Sequence, residues 1–144
     1  MKNEMDISKY KLIFENIKIE VAKSQYKTMQ AINKELIYMY WNIGKIILTN
    51  SEWGNKFIDN LSIDLKLEFP NINGFSIRNL KNMKKFAEEY PDFEFVQSIT
   101  AQITWTHNVL LLDKIKDIEI RKWYINETVK NGWSVNLLEM QINS

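Results

Sequence analysis

The stretch FPNINGFSIRNLKNMKKFAEEYP, residues 69–91, decides the predicted fold because it combines a helix end, a loop and a helix start. Pro70 has no amide hydrogen and ends the helix before it, and Gly74 lets the loop reverse direction. Ser76 stands at the N-cap of the next helix, where its hydroxyl can accept a hydrogen bond from a first-turn amide. Apolar residues then recur at helical spacing, which predicts a helix over residues 76–90.

Basic and amide side chains cover the remaining faces of this predicted helix, and such donors contact phosphate oxygens and base edges. With a preceding helix over residues 57–68, the segment has the order of a helix-turn-helix, although its loop over residues 70–76 is longer than the simplest motif allows. An ordinary solvated helix face explains the same charges and remains an alternative. The predicted contacts to double-stranded DNA are Arg78, Asn79, Lys81, Asn82, Lys84 and Lys85.

Composition limits the classes of protein that this chain can belong to. Its 144 residues, 45% of them hydrophobic, suffice for one core, so we expect a single domain over residues 1–144. Lys and Arg number 19 against 18 Asp and Glu, and any basic field must therefore be local. The chain has no cysteine, which excludes disulfides and thiolate metal sites. No apolar run is long enough to cross a bilayer, so we expect a cytoplasmic protein without a membrane partner.

Residues 6–50 contain no proline and a single glycine, Gly44, which predicts one long N-terminal helix or two helices that meet near residues 23–28. Either the apolar seam faces the core of a helical bundle, or part of it pairs with a second copy of the chain. Homodimerisation is therefore a hypothesis. The seam has a first register at Ile7, Tyr10, Phe14, Ile17 and Val21, and a second at Met29, Ile32, Leu36, Met39, Ile43 and Ile46.

The second half of the chain also has helical periodicity. Residues 95–105 alternate weakly, but a lone strand would have no partner, so helix or irregular structure is favoured over a strand. A helix over residues 117–131 should end at Gly132, and a last helix over residues 135–142 should begin at Ser134. We predict an all-α fold of about five or six helices. Because the last helix has no polar tail, we expect the chain to be a fragment of a longer protein.

No residue pattern indicates catalysis, a metal or a cofactor. His107 is the single histidine and is expected to be partly buried, with its ring nitrogens bonded to a backbone carbonyl or a helix end. The four glycines are isolated, so no phosphate-binding loop is present. Among the five tryptophans, Trp41, Trp123 and Trp133 are predicted to anchor the core, whereas Trp53 could be exposed and stack on an unpaired base.

Seven blocks of this sequence form a recognisable set. They are YWNIG (residues 40–44), WG (53–54), LSIDL (61–65), FPNINGFSIRNLKNMKKF (69–86), YP (90–91), WTHNVLLL (105–112) and WYINETVKNGWSVNLLEMQI (123–142). Together these blocks resemble the N-terminal domain of the YhcG family of bacterial proteins. They occur in the family's order, and the resemblance is specific as a set.

The resemblance implies a helix-turn-helix DNA-binding domain that precedes a C-terminal nuclease domain of the PD-(D/E)xK type. The nuclease motif itself is missing, since Glu-x-Lys does not occur and Asp64-Leu65-Lys66 lacks the converging carboxylates that hold Mg²⁺. The expected function is non-catalytic DNA binding that positions the attached nuclease domain of the same protein. The alternative is a protein-interaction or homodimerisation module without nucleic-acid contact.

Overall fold

The computed structural model describes residues 6–50, Glu52 and residues 54–144, and these residues form seven α-helices and no strand. The all-α prediction is confirmed. The predicted number of helices is too low because two short helices lie between α3 and α6, where sequence periodicity is weak. The helices are α1 (Ile7–Thr49), α2 (Asn55–Glu68), α3 (Ile77–Glu89), α4 (Phe93–Ser98), α5 (Trp105–Lys114), α6 (Ile118–Asn131) and α7 (Val135–Asn143), with a 3₁₀ turn over Thr100–Gln102.

The chain divides into two compact units, Met1–Ile32 and Asn33–Ser144. Helix α1 runs without a break through residues 23–28, so the one-helix alternative is correct. Every residue from 6 to 32 is exposed, and the first apolar register is therefore not buried among the described residues. None of the helices in the described ranges combines the length and the apolar character needed to span a bilayer.

From Asn33 onward, one face of α1 is buried, and the second register predicts it only in part. Leu36 and Ile43 of that register pack, partly buried, against the core. Met39 and Ile46 are exposed, whereas the neighbouring positions Tyr40 and Ile47 are buried. Gly44 explains the difference, since a Cβ atom there would overlap the carbonyl oxygen of Met83. The backbones of α1 and α3 approach closely at this glycine and turn the adjacent face of α1 inward. The buried residues of α1 are Ile37, Tyr40, Trp41, Gly44 and Ile47.

Helix α3 lies at the centre of the second unit because its apolar face contributes to two hydrophobic clusters. One cluster joins Phe86 and Ala87 to Ile37 and Trp41 of α1. The other joins Leu80 and Met83 to residues of α1 and α2 and to the loop before α3. A third cluster, formed by Ile103, Leu111, Ile125 and Leu138, holds α5, α6 and α7 together. The position and the exposed face of α3 are therefore set by packing on several sides.

The tryptophans follow the prediction only in part. Trp41 is buried and its Nε1–H donates to the Tyr90 carbonyl oxygen at 2.7 Å, and Trp133 packs partly buried against the third cluster. Trp123 is 54% exposed, so its predicted core role is wrong. Its helix turns Arg121 inward, and a residue two positions further along a helix points to the other side. Trp53 lies outside the described residues.

The predicted helix ends are confirmed by their hydrogen bonds. The Ser76 hydroxyl accepts from the Asn79 amide at 3.1 Å, and the Ser134 hydroxyl accepts from the Leu137 amide at 3.1 Å. Gly132 ends α6 in the left-handed region at φ 63°. Such caps satisfy amides and carbonyls that helix ends leave unpaired, which is why short polar residues and glycine mark them in a sequence.

Candidate functional site

The exposed face of α3 carries a row of cations. Arg78, Lys81 and Lys85 are exposed, while Asn82 and Lys84 are half-buried. Residues three, four and seven positions apart share one side of a helix, so Arg78, Lys81, Asn82 and Lys85 lie along the same side. Lys84 lies at the edge of this face. We call Arg78, Lys81, Asn82, Lys84 and Lys85 the basic face of α3.

Asn79, the remaining predicted DNA contact, is half-buried, and both ends of its amide make a hydrogen bond within the chain. Its Nδ2 donates to the Gly74 carbonyl oxygen at 2.7 Å, and its Oδ1 accepts from Trp105 Nε1–H at 2.8 Å. Burial raises the pKa of Tyr40, and the neighbouring Asn79 side chain opposes this rise. Asn79 thus ties the loop before α3 to helix α5, and its side chain also lines the groove at the amino end of α3.

The loop between α2 and α3 is held by further contacts. Phe75 is buried, and its carbonyl oxygen accepts from the Ser62 hydroxyl of α2 at 2.6 Å. Gly74 adopts a φ of 113°, a conformation that favours glycine because it has no Cβ. These contacts fix the loop over residues 69–76. They therefore also fix the position of the first turn of α3 relative to α2.

A shallow groove of about 300 Å³ opens at the amino end of α3. Its walls come from the first turns of α3 and α5, which Ser76 and Thr104 cap. The groove is bordered by Arg78 and Asn82 of the basic face and by Thr106 of α5. The sequence offered no signal for the α5 contribution, because Trp105 lies 26 positions after its partner Asn79.

Lys85 combines exposure with an internal hydrogen bond. Its Nζ donates to the Leu112 carbonyl oxygen in the last turns of α5 at 3.1 Å. A cation near the carboxyl end of a helix is favourable because the last carbonyls there lack helical partners. The ammonium has three donor hydrogens, so Lys85 still presents a positive charge on the basic face.

The acidic end of α3 is partly neutralised. Glu89 Oε1 accepts from Arg121 Nη2 at 2.8 Å, and Arg121 Nε donates to the Ile115 carbonyl oxygen at 2.6 Å. The guanidinium lies 5.7 Å from the centre of the Tyr90 ring and opposes the rise in the pKa of Tyr90 that burial causes. Glu89 therefore adds little negative charge to the exposed surface, and Glu88 is the remaining exposed acid of this helix.

His107 occupies the structural position that the sequence predicts. It is 7% exposed, and its Nε2 lies 2.8 Å from the Trp133 carbonyl oxygen. Since a carbonyl can only accept, Nε2 carries the hydrogen and Nδ1 faces the Thr104 hydroxyl at 2.7 Å. Nδ1 thus links α5 to its cap residue Thr104, and Nε2 links α5 to the turn between α6 and α7. Within the described ranges, no group of three or more His, Asp or Glu side chains could hold a metal ion.

This chain is similar to a known domain family and to part of a longer bacterial protein. The sequence profile described as the DUF1016 N-terminal domain matches residues 16–144. The protein "Putative nuclease YhcG" of Escherichia coli (strain K12) is 25% identical to this chain over 168 residues. That match covers 92% of this chain and 44% of the Escherichia coli protein, so the chain spans less than half of that protein's length. No solved structure matches the chain significantly.

Proposed function

Because this chain belongs to the DUF1016 N-terminal domain family, we propose that it is a DNA-binding module that positions an attached nuclease domain. The relative called a nuclease is more than twice as long as the matched region, which leaves room there for a separate catalytic part. We assign no catalytic step to the present chain. The proposed place of action is the cytoplasm, since a chain without cysteine suits a reducing compartment.

The basic face of α3 is the observation that carries this proposal. Its exposed cations lie along one side of a helix that is rigidly packed on its other sides. Phosphate contacts supply most of the affinity of proteins for duplex DNA, and an α-helix fits the major groove. The chain as a whole is almost neutral, so this local concentration of cations is the part best suited to a polyanion.

The residues of the basic face have different proposed roles. Arg78 and Asn82 border the groove at the amino end of α3, where side chains of a recognition helix reach base edges. Lys81 and Lys84, which are about one helical turn apart, contact neighbouring phosphates. Lys85 contributes charge while it keeps its bond to α5. Asn79 positions the helix through its internal hydrogen bonds and makes no DNA contact in this arrangement.

A salt titration tests the phosphate contacts. We would measure the affinity of the full chain for duplex DNA at several salt concentrations, for the parent and for a Lys81→Gln, Lys84→Gln double variant. The logarithm of affinity falls with the logarithm of salt by about 0.9 per phosphate contact, so losing two contacts should flatten the slope by about 1.8. Lys130→Gln, at the exposed end of α6, is the matched control and should leave the slope unchanged.

Two outcomes would contradict DNA binding through α3. One is a parent chain without measurable affinity for duplex DNA at low salt, and the other is an equal slope for the parent and the double variant. The second candidate function, a protein-interaction module, would then be preferred. It draws its support from the exposed apolar residues of the Met1–Ile32 unit.

A further inference from the structure

The first part of α1 presents a regular apolar stripe without a partner among the described residues. Its members recur over two heptads with alternating spacings of three and four, which is the spacing of a coiled-coil seam. Each is between 50% and 72% exposed. A contiguous apolar stripe on a helix that is exposed on all sides marks an interaction surface. The members are Ile7, Tyr10, Phe14, Ile17 and Val21.

The two flanks of the stripe differ in charge. Lys11 and Lys18 lie one position after Tyr10 and Ile17, on one flank. On the other flank, Glu20 precedes Val21 and the apolar Ile13 precedes Phe14. Asp6 stands just before the first residue of α1, and its carboxylate accepts from the Ser8 amide at 3.0 Å. In the heptad repeat Lys11 and Lys18 are e positions, Ile13 and Glu20 are g positions, and Asp6 stands at the preceding g place; e and g positions lie beside the seam and determine partner choice and orientation.

From this arrangement we infer that residues 7–21 of α1 pair in parallel and in register with the same residues of a second copy of this chain. A parallel pair brings each g position next to the e position five residues later on the other helix. Asp6 of one copy then faces Lys11 of the second copy, and the two-fold symmetry repeats this pair on the other side. The seam positions a would hold Ile7, Phe14 and Val21, two of which are β-branched, as parallel dimers favour.

The antiparallel alternative is disfavoured by the same charges. A pair centred on Phe14 would bring Ile7 of one helix next to Val21 of the other. Equivalent flanks would then meet, so that Lys11 faces Lys18 and Asp6 faces Glu20 of the second copy. Like charges at such positions are destabilising. The flanks of this helix therefore select the parallel arrangement of a second copy, and this choice is independent of whether α3 binds DNA.

The dimer should be concentration-dependent. Residues 7–21 extend over about 21 Å of helix, and a stable interface usually buries about 800 Å² of each partner. A single helical face of this length is smaller than that. We would therefore measure the mass of the full chain by sedimentation equilibrium over a wide range of concentrations and expect a monomer–dimer equilibrium.

A pair of matched variants tests the stripe. Phe14→Glu with Ile17→Glu places carboxylates inside the seam and should weaken dimerisation by at least about 100-fold, because a buried unpaired charge is costly. Leu12→Glu with Ile19→Glu makes the same change on the opposite side of the helix, where both residues are also exposed, and should leave the dimer intact. Circular dichroism of both variants checks that the fold is retained.

Single cysteines test the orientation without background, since the chain has no cysteine. A disulfide requires Cα atoms within about 7 Å. In the parallel dimer, Ile7→Cys and Val21→Cys should each link to the same residue of the second copy under oxidation. In the antiparallel pair these residues lie about 21 Å from their own counterparts, and a link would form only in a mixture of the two variants.

The inference fails if the parent chain is a monomer at every concentration, or if the two double variants weaken self-association equally. It also fails if the particle contains more than two chains, or if the cysteines link only in the mixture. None of these outcomes affects the salt titration of DNA binding, so the two proposals can fail separately.

Discussion

The two parts of α1 differ sharply although they belong to one helix. Residues 7–32 carry many apolar side chains and all are exposed, whereas residues 33–49 bury one face in the core. Both parts have apolar residues at helical spacing, so periodicity does not separate them. The buried part differs in its shape, since it combines Tyr40 and Trp41 with Gly44 on one face. Close packing needs such complementary shapes, whereas an apolar stripe alone is also typical of a seam between chains.

The largest expected effect comes from one substitution made in each part of the helix. Ile37 is fully buried, so Ile37→Ala should destabilise the fold by about 2–5 kcal/mol through lost burial and a cavity. Ile19 is 62% exposed, and Ile19→Ala should change stability by no more than about 0.5 kcal/mol. Urea unfolding followed by circular dichroism measures both. Similar losses for the two variants would break the comparison, because they would place Ile19 in a core.

A second prediction concerns the close approach of α1 to α3. Gly44→Ala adds a Cβ that overlaps the Met83 carbonyl oxygen, so the two backbones must separate. We expect overpacking to lower the free energy of unfolding by about 1–3 kcal/mol. This loss outweighs the gain from alanine, which is intrinsically more favourable than glycine in a helix. Thermal unfolding gives the measurement. Asn42→Ala, at an exposed position of the same helix, is the control, and a Gly44→Ala variant as stable as this control would contradict the close packing.

A smaller loss of stability is expected where the buried part of α1 begins. Asn33 is the first residue of the second unit, and its Nδ2 donates to the carbonyl oxygens of Ala101 and Ile103 at 3.2 and 2.9 Å. Asn33→Ala should therefore cost about 1 kcal/mol of the free energy of unfolding. The exposed neighbour Lys34→Ala should cost less than half of that. An equal cost at both positions would mean that the boundary lies further along α1.

Much of the fold could be predicted from local chemistry. Ser76, Ser134 and Gly132 mark helix ends through bonds to backbone groups only a few residues away, so the sequence nearby contains the necessary information. The most deeply buried part of the inward face of α1 could not be predicted in this way. It depends on the fit of Gly44 to Met83, a contact between segments that are distant in the sequence.

In the candidate site, too, contacts between residues that are distant in the sequence could not be predicted. The cations of the basic face were predicted because charge on one side of an amphipathic helix is a local pattern. Asn79 could not be distinguished from them, since its partner Trp105 belongs to α5 and approaches only after folding. Arg121 likewise looks like a surface residue in the sequence, yet it is 2% exposed and bound to Glu89. Burial of a polar side chain is determined by partners that periodicity does not reveal.

The different surroundings of Trp41 and Trp123 have a spectroscopic consequence. An indole in a dry interior emits at shorter wavelength than one in water, and a dissolved quencher such as iodide reaches only the second kind. Trp41 is buried and hydrogen-bonded, whereas Trp123 is more than half exposed. The intrinsic emission of the chain thus contains a shielded and an accessible component. Loss of the shielded component reports the opening of the α1–α3 core without any attached label.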